Sequence, residues 1–259
     1  MSAERQLLMR PTEVLDEGQT REIAVEHANH TLAAMTAPER VAWALEHLPS
    51  NVAMTSSFGA QSAVMLHMVT QQRPDIPVIL IDTGYLFPET YRFVDEMTER
   101  LALNLEVYRP ATSAAWQEAR YGKRWEQGAQ GISAYNRENK VEPMERALRD
   151  LQVGTWFSGL RRVQASTRRA LPVLSGSGER WKVLPVVDWS DRDVFEYLKA
   201  HELPYHPLWF EGYVSIGDVH TTQSLHDAGS VDDTRFFGLL RECGIHEIDL
   251  QQVDGAAAP

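Results

Sequence analysis

Met54–Val69 reads MTSSFGAQSAVMLHMV, and the reading of this stretch decides the fold. Val52, Ala53 and Met54 form the end of a short buried strand, Ser56–Gly59 a tight polar turn, and Ala60–Val69 a helix with Val64, Leu66, Met68 and Val69 available for packing. Strand, turn and helix in that order put free backbone N–H groups and the hydroxyls of Ser56 and Ser57 at the positive end of a helix, a setting suited to phosphate or sulfate. Gly59 lets the backbone pass close to such a ligand. No lysine follows Gly59, so the nucleotide-hydrolysing pattern GxxxxGK[ST] is absent. Taken alone, the same residues also describe an ordinary turn with Ser56 or Ser57 as helix N-cap.

Working outward, Pro77–Ile81 (PVILI) is a continuous apolar run of the kind buried on both faces of a parallel sheet. It ends in Asp82-Thr83-Gly84, at the carboxyl end of a central strand, where open α/β sheets bind ligands. Asp82 could meet a base or ribose there, or simply start a turn. A helix follows from Pro88, then a third strand at Leu105–Tyr108. Thr155–Leu160 (TWFSGL) reads as another strand and leads into Arg161-Arg162; Val183–Val187 (VLPVV) is a further apolar segment, followed by a Ser190-capped helix over Asp191–Ala200. This alternation predicts a doubly wound, mostly parallel sheet with helices on both faces. Residues 1–50 read as a peripheral helical segment, 51–217 as the nucleotide-binding α/β unit, and 218–259 as a C-terminal tail. After His201 the proline and glycine punctuation predicts a loop-rich, partly mobile end.

Composition narrows the chemistry. With 259 residues and 43% apolar content the chain can bury a large core. It has no apolar run long enough for a membrane span and no apolar signal core in MSAERQLLMR, so a cytoplasmic protein is expected. A net charge of −11 argues against a broad nucleic-acid surface, yet Arg161, Arg162, Arg168 and Arg169 gather where a small polyanion could use them. Cys243 is the single cysteine, which excludes an internal disulfide, a CxxC zinc site or an iron–sulfur cluster ligated within one chain. No HxxxH or HExxH pair exists, and no metal is expected. Arg241 and His246 flank Cys243 and would favour its thiolate, with Gly244 leaving the sulfur accessible. The alternative is a small buried hydrophobe.

Taken together, SSFGAQSA, LIDTGYLFPETYRF, NKVEP, GLRR, PVVDW, YHPLWFEGYVSIGDVHTT and ECGIH, in that order, resemble the phosphoadenylyl-sulfate (PAPS) reductases of bacterial sulfate assimilation, over about Arg40–His246. The resemblance implies an adenine nucleotide alpha-hydrolase-like fold in which Ser56–Gly59 is a PP-loop under the phosphates or sulfate, with Asp82, Thr83 and Gly84 near the adenosine. It makes Lys140, Arg161, Arg162 and Arg168 candidates for sulfate and phosphate contacts and Cys243 the catalytic cysteine; Arg241 is a further candidate substrate contact, and Tyr213 and His246 could each touch substrate or simply order the tail. Lacking the cysteine pairs of the related adenylyl-sulfate (APS) reductases, the chain resembles the cluster-free class, whose reductant is thioredoxin or glutaredoxin, and a homodimer is implied. Two departures stand out: Gln164-Ala165-Ser166-Thr167-Arg168 replaces QSG[ST]R, and Gln223 stands where many relatives carry arginine. A cluster-free APS reductase, an ATP-splitting PP-loop ligase and a non-catalytic nucleotide-binding module are the competing readings.

Overall fold

A computed structural model describes residues 18–177, residues 180–240 and Gly244. Two helices, α1 (Gly18–Ala33) and α2 (Ala37–His47), precede the sheet. Thr36 precedes α2, and its backbone N–H and its hydroxyl both donate to Glu39 Oε2 at 2.7 Å. Then β1 (Val52–Thr55), α3 (Ala63–Thr70), β2 (Pro77–Ile81), α4 (Pro88–Leu101) and β3 (Asn104–Tyr108) alternate. Pro88 opens α4, whose buried Thr90, Phe93, Val94 and Met97 recur at helical spacing.

A helical excursion follows: α5 (Ala114–Tyr121), α6 (Gly128–Asn136), a π-helical turn over Arg137–Val141, and α7 (Glu142–Asp150). The chain re-enters the sheet as β4 (Thr155–Phe157), β5 (Leu174–Ser177) and β6 (Arg180–Val183) before α8 (Asp191–Ala200) and the short α9 (Leu225–Ala228). The strand order is β3-β2-β1-β4-β6-β5, parallel throughout except for the antiparallel edge strand β5. From β1 the chain winds out through β2 to β3, then returns to place β4 on the other side of β1. That reversal makes the β1–β4 boundary the switch point of the sheet, where the carboxyl ends of strands open a crevice.

The strand period sorts the core into two faces. Val52, Met54, Val78 and Leu80 point into one cluster with residues of α1, α2, α3, α4 and α8; Ala53, Ile79 and Trp156 point the other way, onto Met144, Ala147 and Leu148 of α7. The helices before the sheet are therefore not peripheral. Leu32, Val41 and Ala44 are fully buried in the main cluster, and Arg40 reaches across to Asp188.

Several expected boundaries shift. The helix after the first strand begins at Ala63, not Ala60, because Ser62 N–H donates to the Gly59 carbonyl and adds a tight turn first. The strand at Thr155 stops at Phe157, and Ser158–Leu160 continue beyond the sheet. Val183 is the last residue of a strand running from Arg180, while Leu184–Val187 turn away under cover of the core. The segment after His201 is loop-rich as read, and short 3-10 turns and isolated antiparallel pairings, Leu86 with Asp218 and Thr222 with Arg235, tie it to the body.

Candidate active site

The loop after β1 carries the first part of the site. Ser56 N–H donates to Ile79 and prolongs the sheet, and Phe58 N–H donates to the Ser56 hydroxyl at 3.1 Å. Phe58 itself adopts a left-handed backbone (φ 48°), with its ring fully buried. Such strain in a non-glycine residue costs about 1–3 kcal/mol, offset here by burial of the ring, and it concentrates at functional sites. The N–H groups of Ser57, Gly59, Ala60 and Gln61 find no acceptor among the described residues. Ser56 and Ser57 are not helix caps, since α3 starts several residues later. A side chain at Gly59 would meet only ordinary contacts, 3.5 Å from Ser57 Oγ and 3.7 Å from the Ile216 carbonyl. Nothing in the protein itself demands glycine there, whereas a ligand lying on the loop would.

Around this cradle the other strand ends contribute. Gly84 turns the chain with φ +79°, as only glycine does at low cost. Asp82 is buried and fully engaged: it accepts from Tyr91 OH (2.7 Å), Gly84 N–H (2.9 Å) and Arg109 Nε (2.8 Å). It thus organises the turn. Thr83 Oγ1 donates to Asp218 Oδ1 at 2.6 Å, and Lys140 Nζ lies 2.5 Å from Asp218 Oδ2. Burial alone would raise the Asp218 carboxyl, but the adjacent Lys140 ammonium and the Thr83 hydroxyl hold it below the ordinary carboxylate range. Removing one partner of so buried a pair costs about 3–5 kcal/mol.

The π-helical turn explains how Lys140 reaches inward. Within it Asn139 exchanges reciprocal side-chain amide bonds of 2.9 Å with Gln117, and Asn139 Nδ2 also donates to the Tyr135 carbonyl at 3.0 Å. Lys140 faces the rings of Tyr135 and Phe236 at 5.7 and 5.2 Å. Tyr135 is buried beside Asp218, and both burial and that carboxylate push its phenol well above the usual range. His220 completes this wall, stacked on Trp125, with Tyr85 and Tyr135 edge-on.

The arginines divide. Arg161 is buried behind the loop, where its guanidinium donates to Gln61 Oε1 and to Asp191 Oδ1 (2.9 Å). It braces the cradle from behind. Arg162 Nε donates to the Leu171 carbonyl at 2.8 Å and Arg168 Nη1 to Gln164 Oε1 at 2.9 Å, so both order the QASTR segment, which forms two short 3-10 turns. Tyr213 is half-buried with its ring 5.5 Å from Phe87, beside Ala60, Leu208 and Ile216. Cys243, Arg241 and His246 lie outside the described residues. Gly244, the residue after Cys243, is described: a side chain built on it would come within 3.1 Å of Val141 Cγ2, immediately beside Lys140.

Four contributors were not assigned to the site from the sequence. Asp218 sits in SIGDVHTT, where an acid enclosed by apolar and hydroxyl residues was the available signal. Arg235 lies against Gly217 so closely that a Cβ there would come within 2.2 Å of its guanidinium, and it donates to Ser215 Oγ at 3.3 Å. His220 and Trp125 are far apart in sequence and carry no shared pattern.

Free N–H groups before a helix at the switch point, ringed by lysine, arginine and aromatic side chains, define a PP-loop nucleotide-binding protein. Crystal structures of Candida glabrata FMN adenylyltransferase share this fold at a TM-score of 0.53, with 14% identity over 76% of this chain and 70% of that one. The profile of the phosphoadenosine phosphosulfate reductase domain matches residues 51–224, and the chain belongs to that family. It is 65% identical over 219 residues to the phosphoadenosine 5'-phosphosulfate reductase of Xanthomonas oryzae pv. oryzae (strain PXO99A), covering 85% of this chain and 91% of that one. The Xylella fastidiosa (strain M12) reductase of the same name is 61% identical over 86% of this chain and 94% of its own length. The crystal structure of PAPS reductase from Candida auris in a phosphate complex matches with a TM-score of 0.69 and 31% identity, over 78% of this chain and 97% of that one.

Proposed function

We propose that this protein reduces 3'-phosphoadenylyl sulfate to sulfite and adenosine 3',5'-bisphosphate in sulfate assimilation, in the cytoplasm, through an S-sulfocysteine on Cys243. The observation that carries the reading is the place of Gly244: the residue joined to Cys243 packs on Val141, next to the buried Lys140–Asp218 pair. This supports a reading in which the single cysteine of the sequence works close to Lys140.

In the first step the Cys243 thiolate attacks the sulfonyl sulfur. A sulfur–sulfur bond forms, the bond from sulfur to the bridging phosphate oxygen breaks, and the bisphosphate leaves with that electron pair. The free N–H groups of the loop and the Lys140 ammonium stabilise charge on the phosphate and sulfonate oxygens as it redistributes; losing one such donor typically costs about 2–4 kcal/mol. In the second step a thiolate of thioredoxin or glutaredoxin attacks Cys243 Sγ, sulfite departs with the bonding pair, and the partner's second thiol resolves the mixed disulfide. Two electrons pass from the external dithiol, since a single cysteine cannot store them as an internal disulfide. No bound cofactor or iron–sulfur cluster takes part in this scheme, and the protein acts as a homodimer.

Mass spectrometry of the protein mixed with PAPS, reductant withheld, tests it. A mass gain of one sulfonate on the Cys243 peptide is expected, with none for Cys243→Ser, which should still bind the bisphosphate. Sulfite released by an unmodified protein would refute the intermediate. Running APS beside PAPS reads the contribution of the 3'-phosphate, and a clear preference for PAPS is expected.

A further inference from the structure

We infer that Asp218 is the positioning residue for Lys140 in sulfonyl transfer: a Thr83–Asp218–Lys140 chain fixes the ammonium before substrate arrives and leaves its remaining N–H bonds for the sulfonate. The inference rests on the function proposed above.

The main chain at Asp218 is fixed first. It pairs with Leu86, the next residue's N–H donates to the Tyr85 carbonyl at 2.9 Å, and Thr221 N–H returns to the Asp218 carbonyl at 3.1 Å. The Thr83 hydroxyl then fixes the orientation of the carboxylate at Oδ1, so that Oδ2 meets the lysine from a set direction. Asp218 is 1% exposed and Lys140 7%. A lysine ammonium carries three donors. Asp218 occupies one direction, and the described residues supply no second carboxylate to pair with it. A flexible four-carbon stem is thereby ordered in advance, which removes a cost otherwise met in the transition state. Two other cations of the region have partners of their own, Arg161 being held by Gln61 and Asp191, and Arg109 by Asp82.

Charge gives the inference its signature. A fixed carboxylate in the site opposes the binding of a polyanion, so its removal leaves nucleotide affinity intact or improved while the chemical step slows. An acid kept only for the fold would lower both. The test measures single-turnover sulfonation of Cys243 by PAPS without reductant, and binding of adenosine 3',5'-bisphosphate by calorimetry. For Asp218→Asn the sulfonation rate should fall by about 30-fold or more, with bisphosphate affinity unchanged or up to about threefold tighter. Thr83→Val, which keeps the shape and removes the orienting hydroxyl, should slow sulfonation by about 3–10-fold with the same split. With Lys140→Met as background, adding Asp218→Asn should cost nothing further.

A sulfonation rate for Asp218→Asn within about threefold of wild type overturns the inference, as does a parallel fall of rate and affinity. Should Asp218→Asn fail to fold, Thr83→Val decides by the same split. Wild-type protein that forms no adduct refutes the proposed function and this inference with it; an adduct formed equally fast by wild type and variant refutes this inference alone.

Discussion

The imidazole of His220 lies flat on the indole of Trp125, ring centroids 3.7 Å apart and planes 3° from parallel. Burial pushes its pKa down to about 4, and burial does the same to His206, whose Nδ1 accepts from Leu208 N–H while Nε2 faces Thr90 Oγ1 at 3.0 Å. Both imidazoles are therefore neutral in the folded protein at pH values where an unfolded histidine, titrating near 6.5, is already charged.

That difference sets a pH dependence. Between about pH 6.5 and 4 the unfolded chain binds more protons, so stability is full above the upper limit and declines as the pH falls. Urea midpoints should drop over this window. His220→Gln should flatten the decline, by on the order of 1–2 kcal/mol at pH 4.5 relative to pH 7. An unaltered slope would show that burial does not hold the imidazole neutral.

Gly217→Ala should move Arg235 without unfolding the protein. The added Cβ meets guanidinium atoms at the end of a flexible side chain, so the arginine yields and the backbone does not. The expected outcome is an unchanged melting temperature with KM for PAPS raised about tenfold, in line with a lost charged contact. Arg235→Ala in the same background should add nothing, and a further loss would separate the two residues.

Arg161→Met should weaken binding of the bisphosphate by about tenfold, because the loop loses the brace on Gln61. Gln61→Ala should reproduce the effect. Calorimetry checks both, and full affinity in either variant would remove Arg161 from the support of the loop.

Arg40→Ala tests the tie between α2 and the turn after β6. Arg40 is 3% exposed and gives bonds to the Leu32 and Pro185 carbonyls and a bidentate pair of 2.7 Å bonds to Asp188. Asp188 can regain water, so the loss comes mainly from the carbonyls and the cavity, about 2–3 kcal/mol. A bond to Arg40 holds the Asp188 carboxyl below its usual value despite partial burial, a contribution present above about pH 4 and lost as the pH falls through the lowered pKa. Chemical denaturation at pH 7 should show the drop, with nucleotide affinity untouched.

Much of this was legible from short contiguous signals. PVILI had to be a buried strand, SSFG had to turn into a helix, and DTG had to sit at a strand end, because these follow from local sterics and apolar spacing. β5 and β6 were harder: Leu174–Val183 mixes glycine, serine and charged residues and shows no continuous apolar run, although Trp181, Lys182 and Val183 of β6 are buried. The two helices before the sheet looked peripheral because their apolar positions say that one face is buried, not against what.

Sequence alone determined the strand-to-helix cradle, the single thiol and the gathering of cations, since each depends on neighbouring residues or on a count. Which partner each cation takes was decided by the tertiary structure. Arg161, prominent in the sequence, is turned behind the loop onto Gln61 and Asp191, while Lys140 is drawn inward by an aspartate 78 positions later and Arg235 is seated on Gly217. Buried charges must find partners wherever the fold brings them, and no local pattern records an ion pair between segments that meet only when the chain has closed.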